Sequence, residues 1–243
     1  MEFKASCLGD CFSQGRDYSF SALCSITMNY LIDPSNITKF DCNDYELQLM
    51  LLFWICAAGK KASTAAANLN RLMLRGKGKF VADEPFEIIR MFGADLSEEL
   101  RVHGIGCYNN KGKSMMDLAQ KGLDLKTCSV YDLESVRGIG PKTARCFLLH
   151  SRRGARFAGL DVHLLKFMRM IGYDAPKTTP GKKSYLFLEG EFLGLVDRSG
   201  MSVAKVDLLI WNYYSSRDES SEKDMRVFLQ LIGLEHCLLS GAA

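Results

Sequence analysis

The sequence lacks an apolar run of about 18 residues, the length of a membrane-spanning helix. One apolar segment, Leu47 to Ala58, is too short for a span and is typical of a core helix. The N-terminus also lacks the basic-then-apolar pattern of a secretory signal. We therefore expect a soluble, intracellular protein with no membrane partner, located in the cytoplasm or, in a eukaryote, in the nucleus.

Cysteine pairs at the spacing of a zinc site are also missing. Nine cysteines are scattered along the 243 residues, and no second pair or histidine follows the closest pair, Cys7 and Cys11, at zinc spacing. The C-terminal region holds only Cys237, which excludes a four-cysteine iron–sulfur cluster there. We expect buried, unpaired thiols in a reducing compartment, no metal and no other cofactor.

A large excess of positive charge is absent as well. The formal net charge is only +3, so overall charge does not mark a nucleic-acid binder, and local clusters must carry that argument. Hydrophobic residues make up 47% and charged residues 24%, the composition of an ordinary globular protein with a sizeable core.

Alternation of apolar and polar residues with a period of two is rare, whereas helical spacing recurs along the chain, so we predict an all-α fold. Glycines and charges predict a basic turn at 75–79 and a linker at 215–223. The helices are predicted at 20–31, 45–58, 63–74, 84–91, 113–121, 130–137, 141–150, 157–170, 185–196, 203–213 and 224–239.

A tight turn at Gly138-Ile-Gly140 separates two of these helices. Glycine is expected there because it reaches positive φ without a Cβ penalty. Pro141 occupies the first position of the second helix, where proline is best tolerated. The open N-terminus of that helix could bind a DNA phosphate. Lys142 lies at the lip of the turn, and Asp161 follows 19 residues later.

Four segments resemble the helix-hairpin-helix DNA glycosylase superfamily, in particular its bifunctional branch, the endonuclease III type and the 8-oxoguanine glycosylases. The hairpin at 134–149 and the segment Leu160-Asp-Val-His-Leu-Leu-Lys-Phe167 carry most of the resemblance. Residues 45–53 resemble the first buried helix of the six-helix half. Gly106-Cys-Tyr-Asn-Asn-Lys111 resembles a Gly-x-Tyr-Asn-x-Lys turn of that family. The resemblance covers residues 45 to 170. It implies two helical subdomains with a DNA-binding cleft between them, a six-helix subdomain at 41–157 and a second subdomain made of 1–40 plus 158–243.

The resemblance implies a chemistry for Lys142 and Asp161, which match the family's catalytic positions. A lysine amine can attack the sugar carbon if desolvation or a nearby cation lowers its pKa. The resulting Schiff base permits strand cleavage by elimination. A carboxylate beside the sugar stabilises the cation-like transition state. Taken alone, Asp161 also fits the N-cap of the helix that follows it.

Further residues are candidates for holding DNA or a flipped base. The expected partner is double-stranded DNA containing a modified base, bound by a monomer. The phosphate-contact candidates are Gly138, Gly140, Thr143, Lys60, Lys61, Arg152, Arg153 and Arg156. The base-pocket candidates are Trp54, Trp211 and Tyr213, with core packing as the alternative role.

One departure from the family keeps other functions open. Relatives carry glutamine, asparagine or an acidic residue after the first buried helix, whereas this chain has Gly59-Lys60-Lys61 there. One alternative is a phage-type transferase that attaches an amino acid to a pyrophosphorylated hydroxymethyl base, its lysines holding the leaving pyrophosphate. A second is a non-catalytic helix-hairpin-helix module that binds DNA and needs neither Lys142 nor Asp161.

Overall fold

The computed structural model describes residues 32–80, 82–216 and 218–239, with side chains up to residue 237. Within these ranges the chain is all-α, as predicted, and contains no strand. None of the described helices is both long enough and apolar enough to cross a membrane. The helix predicted at 20–31 lies outside the described residues.

The described part contains twelve α-helices and two short 3₁₀ segments, Pro34–Asn36 and Gly93–Asp95. The α-helices are α1 (Asp44–Ala57), α2 (Ala62–Lys79), α3 (Pro85–Phe92), α4 (Leu96–Val102), α5 (Tyr108–Lys121), α6 (Val130–Glu134), α7 (Pro141–Ser151), α8 (Val162–Met170), α9 (Lys182–Ser199), α10 (Val203–Ser215), α11 (Glu219–Leu231) and α12 (His236–Leu239).

Helix α1 is the central element of the N-terminal half, as its apolar sequence predicted. Its start is fixed by a capping box, in which Asn43 Oδ1 accepts from the Glu46 amide at 2.9 Å and Glu46 Oε2 accepts from the Asn43 amide at 3.0 Å. Apolar residues cover nearly its whole circumference, so it packs against α2, α3, α5 and α7. Helix α7, which carries Lys142, is therefore anchored on the core.

The basic turn predicted at residues 75–79 is wrong, because this stretch forms the last part of α2. Gly76 explains the error. A Cβ at Gly76 would lie 2.1 Å from Ile88 Cγ2 and 3.3 Å from the Phe92 ring, so the glycine permits a close approach of α2 and α3. A packing glycine inside a helix resembles a turn glycine when only the sequence is read.

Three other predicted boundaries also need correction. Residues 157–161 are not helical, because α8 begins only after its N-cap, Asp161. The linker predicted at 215–223 is helical from Glu219, where the Asp218 side chain caps α11. The last predicted helix is interrupted after Leu231 by a turn with Gly233 at φ +75°.

The C-terminal helices share a core of their own side chains. Buried apolar residues from Leu149 to Ile232 form one cluster, to which α8, α9, α10 and α11 contribute. The buried Arg145 links the hairpin to this cluster by pairing with Glu134 at 2.6 Å and with Glu189 at 3.0 Å. The boundary between residues 157 and 158 stays a prediction.

Candidate functional site

A cavity of about 1050 Å³ is bordered by several parts of the described chain. They are the segment at 34–37, the last part of α1 with the turn that follows it, the N-terminus and one face of α7, the start of α8, the loop residue Thr179, one face of α10 with the loop that follows it, and the first part of α11. The predicted site residues that line it are Trp54, Lys60, Lys61, Gly140, Lys142, Thr143, Asp161 and Trp211. Residues predicted from separate segments are thus brought together at one cavity.

Helix α7 presents Lys142, Cys146 and His150 to the cavity. Their spacing of four residues places them on one face of the helix, stacked turn upon turn. The N-terminal end of this face carries the half-buried Lys142, and its C-terminal end carries His150, which is completely buried. The helix therefore supplies an amine, a thiol and an imidazole along one wall.

The ammonium group of Lys142 lies over the indole of Trp54. Lys142 Nζ is 5.0 Å from the ring centroid, within the range of a cation–π contact. Trp54 in turn stacks on His150, with ring centroids 5.6 Å apart and an angle of 20° between the planes. Trp54 thus packs beside the predicted catalytic lysine as well as lining the cavity.

Asp161 is the N-cap of α8, which confirms the capping role predicted for it. Asp161 Oδ1 accepts hydrogen bonds from the backbone amides of His163 and Leu164, both at 2.9 Å. These two bonds fix the carboxylate at the edge of the cavity. The ring of His163 is stacked on Tyr214, with the centroids 6.0 Å apart, in keeping with a structural role.

The pKa of Lys142 is raised, the opposite of what a free amine nucleophile needs. Burial lowers this pKa, but negative charge on Cys146, Asp161 and Asp207 outweighs the burial. Burial raises the pKa of the Cys146 thiol to about 12, so near neutral pH the thiol is uncharged, and Asp161 and Asp207 are the acids that favour the ammonium form of Lys142. Lys142 is therefore an ammonium in the unliganded protein, and a nucleophilic role requires it to lose a proton in the complex.

The carboxyl of Asp161 also has a raised pKa. Burial is the main cause, Lys142 acts in the opposite direction, and Asp207 adds to the increase. Lys142 and Asp161 thus influence each other electrostatically across the cavity, and the second carboxylate acts on both. The site is one charged cluster of an amine with two acids.

Asp207 and His150 are the residues that the sequence reasoning missed. His150 Nε2 donates to Asp207 Oδ2 at 3.1 Å, and Asp207 lines the cavity on the opposite element, α10. A signal was available, because Asp207 stands alone among the apolar residues of 203–211 apart from Lys205. An isolated acid on an apolar helix needs a buried partner or a functional role.

The two glycines of the hairpin turn differ in what they do. Gly138 has φ +78°, and a Cβ there would lie 2.1 Å from Ser114 Oγ, so both conformation and space require glycine. Gly140 has an extended backbone, with φ −94° and ψ 177°, and nothing lies within 4 Å of the Cβ position. The expectation that glycine is needed for positive φ is thus confirmed for Gly138 and wrong for Gly140.

No side chain caps the N-terminus of α7, where Gly140 is the N-cap residue. The first backbone N–H groups of such a helix point outward and carry partial positive charge. Gly140 is exposed and has room around its Cα. The end of α7 can therefore accept a close anionic contact that a side chain at Gly140 would hinder.

The turn between α1 and α2 is held in place by the buried Lys111. Lys111 Nζ donates to the carbonyls of Cys56 at 2.7 Å and Ala58 at 2.8 Å, capping the C-terminal end of α1. Lys60 packs on the neighbouring turn, where a Cβ on Gly106 would lie 2.7 Å from Lys60 Cε. The lysine of the Gly-x-Tyr-Asn-x-Lys segment thus has a structural role that positions Lys60 at the cavity.

The three arginines of the loop after α7 do not line the cavity. Arg152 donates to the carbonyl of Cys128 at 2.6 Å, and Arg156 makes two 2.9 Å hydrogen bonds to Asp197. Arg153 pairs with Asp41 at 3.3 Å. These contacts attach the loop to neighbouring segments of the chain, and the phosphate role of the arginines stays a prediction.

The remaining base-pocket candidate, Tyr213, lies away from the cavity lining. Its ring packs against Tyr214 with the centroids 4.9 Å apart and against the C-terminal core. Trp211, two residues earlier, does line the cavity. The helical period explains the difference, because residues two positions apart on α10 lie on roughly opposite faces of the helix.

No protein-family model matches the sequence, and no solved structure matches the chain.

Proposed function

We propose that this protein is a DNA glycosylase with an associated abasic-site lyase activity, acting on a flipped modified base in double-stranded DNA. The observation that carries the proposal is the convergence of Lys142 and Asp161, which lie on two different helices, on one cavity. The cavity, of about 1050 Å³, has the size of pockets that bind small organic groups, so it can accept a nucleoside.

In this proposal the amine of Lys142 forms the bond to the sugar. Lys142 first gives a proton to a carboxylate, and the free amine then attacks C1′ as the bond from C1′ to the base breaks and the base takes the electron pair. Asp161 stabilises the positive charge that develops on the sugar. The C1′–O4′ bond of the sugar ring then breaks as the nitrogen lone pair forms a C=N bond and a proton passes from the nitrogen to O4′, which gives a Schiff base. The Schiff base activates the C2′–H bond, so a base removes this proton and the C3′–O bond breaks as the 3′ phosphate leaves with the electron pair.

DNA would be gripped by the hairpin formed by α6, the Gly138 turn and α7. The uncapped amides at the start of α7 favour a phosphate, and the glycine at position 140 leaves space for it. Lys60 and Lys61 would contact a second part of the backbone across the cavity. Binding would take place in a cleft between a helical half at 41–157 and a half made from the N- and C-terminal segments.

Trapping with borohydride on duplex DNA tests the proposal. Wild-type protein is incubated with duplexes that carry different base lesions or a plain abasic site, and the reductant converts any Schiff base into a stable adduct. We expect an adduct that Lys142→Gln abolishes, while the control Lys182→Gln, at the exposed start of α9, leaves it intact. If no duplex, including the abasic one, gives a Lys142-dependent adduct, the lyase proposal fails.

A specific observation favours one second candidate, the transfer of an amino acid onto a pyrophosphorylated hydroxymethyl base. Three lysines, Lys60, Lys61 and Lys142, line the same cavity, and the pKa of Lys142 is raised. Cationic amines stabilise the negative charge of a leaving pyrophosphate. The amine of the amino acid would attack the methylene carbon as the bond from that carbon to the pyrophosphate oxygen breaks, and a carboxylate would take the amine proton.

The products distinguish the candidates. Release of pyrophosphate from such a modified duplex, with no abasic site formed, supports the transferase. Binding of DNA without turnover, unchanged by Lys142→Gln and by Asp161→Asn, supports the non-catalytic module.

A further inference from the structure

Asp207 is the one carboxylate of the cavity that is tied to a buried aromatic ring. The carboxylate can only accept, so His150 Nε2 carries the hydrogen of the 3.1 Å bond. In the neutral ring Nδ1 then accepts from the hydroxyl of Thr38, at 2.7 Å. Two hydrogen bonds on opposite sides of the imidazole therefore fix the plane of a ring that has no exposed surface.

The fixed imidazole supports the ring on which Lys142 rests. His150 stacks on Trp54 at 5.6 Å, and Lys142 Nζ lies 5.0 Å from the centroid of the same indole. A chain of contacts thus runs from Asp207 through His150 and Trp54 to the amine. It joins α10, α7 and α1, three elements that meet at the cavity.

We propose that Asp207 is a positioning residue for the reaction of Lys142, acting through the rings of His150 and Trp54 to hold the amine at the reacting centre. The inference rests on the proposed lyase function, in which Lys142 forms the covalent bond. It assigns to Asp207 a role in orienting the nucleophile, distinct from the charge stabilisation assigned to Asp161.

The need for such a device follows from the lysine side chain. Its long flexible stem can adopt many rotamers, and fixing it costs up to about 2 kcal/mol of entropy. A stacked pair of rings offers a flat surface of defined orientation, and misplacement of a reacting group by about 1 Å can slow a reaction by about 100-fold. A hydrogen-bonded carboxylate at the base of the stack supplies the rigidity.

Asp207 also raises the pKa of the Lys142 amine, so replacing Asp207 should change how the trapping rate depends on pH. The other titratable groups of the cavity come from four parts of its lining. They are Lys60 and Lys61 from the α1–α2 turn, Cys146 and His150 from α7, Asp161 and His163 from the start of α8, and Asp218 and Asp224 from the N-cap and first part of α11. Asp161 and Asp207 raise the pKa of Lys142, whereas the Cys146 thiol adds to this increase only where it is deprotonated.

The test compares Asp207→Asn with Asp207→Ala in single-turnover borohydride trapping on an abasic duplex, over a range of pH. The asparagine oxygen still accepts from His150, so we expect its best rate within about threefold of wild type, since most of the orientation is kept. In the plot of trapping rate against pH, the acid limb of Asp207→Asn should move to lower pH, because loss of the negative charge lowers the pKa of Lys142. The alanine variant loses the hydrogen bond and should trap about 10- to 100-fold more slowly, with unchanged DNA affinity.

Two results would overturn the inference while leaving the lyase proposal intact. One is trapping by Asp207→Ala at the wild-type rate, and the other is an equal loss of trapping rate in Asp207→Ala and Asp207→Asn. If the alanine variant does not fold, as judged by thermal melting, Trp54→Phe and Trp54→Leu decide in its place. Phenylalanine keeps a ring face for Lys142 and should trap faster than leucine, and equal rates would contradict the inference. If the wild-type protein itself gives no adduct, the proposed function fails, and this inference with it.

Discussion

Replacing Gly138 by alanine should destabilise the hairpin, whereas the same change at Gly140 should leave the fold intact. At φ +78° an alanine pays about 1–2 kcal/mol for the left-handed conformation. The new Cβ would also lie 2.1 Å from Ser114 Oγ, which donates to the Asn110 carbonyl at 3.0 Å. Displacing that hydroxyl adds about 1–2 kcal/mol, which gives about 2–4 kcal/mol in total.

Urea unfolding followed by circular dichroism measures both variants. Gly138→Ala should lower the unfolding free energy by about 2–4 kcal/mol, and Gly140→Ala should change it by less than about 1 kcal/mol. Adding Ser114→Ala to Gly138→Ala should recover the steric part, about 1–2 kcal/mol, as a coupling energy. Equal stability of the two single variants, or no coupling with Ser114, would refute the reasoning.

The Gly140 variant also separates folding from DNA binding. Its Cβ meets no protein atom, so a loss of affinity cannot come from a clash within the described chain. If a phosphate approaches the open amides of α7, the methyl group should weaken binding of an abasic duplex by about 5- to 10-fold. Wild-type affinity in a fluorescence-anisotropy titration would show that the phosphate lies elsewhere.

Other changes test further parts of the structure. Gly76→Ala should destabilise the protein by about 1–3 kcal/mol, because its Cβ would clash with Ile88. Gly78→Ala, on the same helix, should stabilise it by about 0.5–1 kcal/mol, because nothing lies within 4 Å of its Cβ position. Thermal melting compares the two variants. Asp161→Asn keeps the N-cap and should slow trapping by about 100-fold or more, yet raise the urea midpoint at neutral pH. The pKa of the Asp161 carboxyl is raised in the folded wild-type protein. The gain in stability of Asp161→Asn should therefore be absent below the pKa of this carboxyl in the unfolded chain and reach its full size above its pKa in the folded protein. Lys111→Met leaves the carbonyls at the end of α1 unsatisfied and should lower the unfolding free energy by about 1–3 kcal/mol in urea denaturation; an unchanged midpoint would contradict this.

Helical periodicity was sufficient to predict the α-class and the cores of most described helices, since the apolar face of each helix repeats in the sequence. Boundaries failed where one residue type serves two purposes. Gly76 resembled a turn glycine, but it lies inside α2 and permits the close approach of α3. The charged segment 219–223 resembled a linker, but it begins a capped helix. Packing partners from other segments decide such cases, and sequence spacing alone does not contain them.

The candidate site shows the same division. Lys142 and Asp161 belong to one continuous stretch, so their pairing could be predicted from spacing and resemblance. Asp207 lies 46 residues beyond Asp161, on a helix whose rotation depends on the C-terminal core, and its link to His150 exists only in the folded chain. The helical phase likewise decides that Trp211 lines the cavity and Tyr213 does not.

Peptide mapping of the borohydride-trapped complex tests the central claim most directly. After nuclease and trypsin digestion, mass spectrometry identifies the residue that carries the sugar remnant. A modified Lys142 resists trypsin, so the account predicts the remnant on the peptide from Gly138 to Arg145, at Lys142. A remnant on Lys60, Lys61 or any other amine would contradict the claim that Lys142 is the nucleophile.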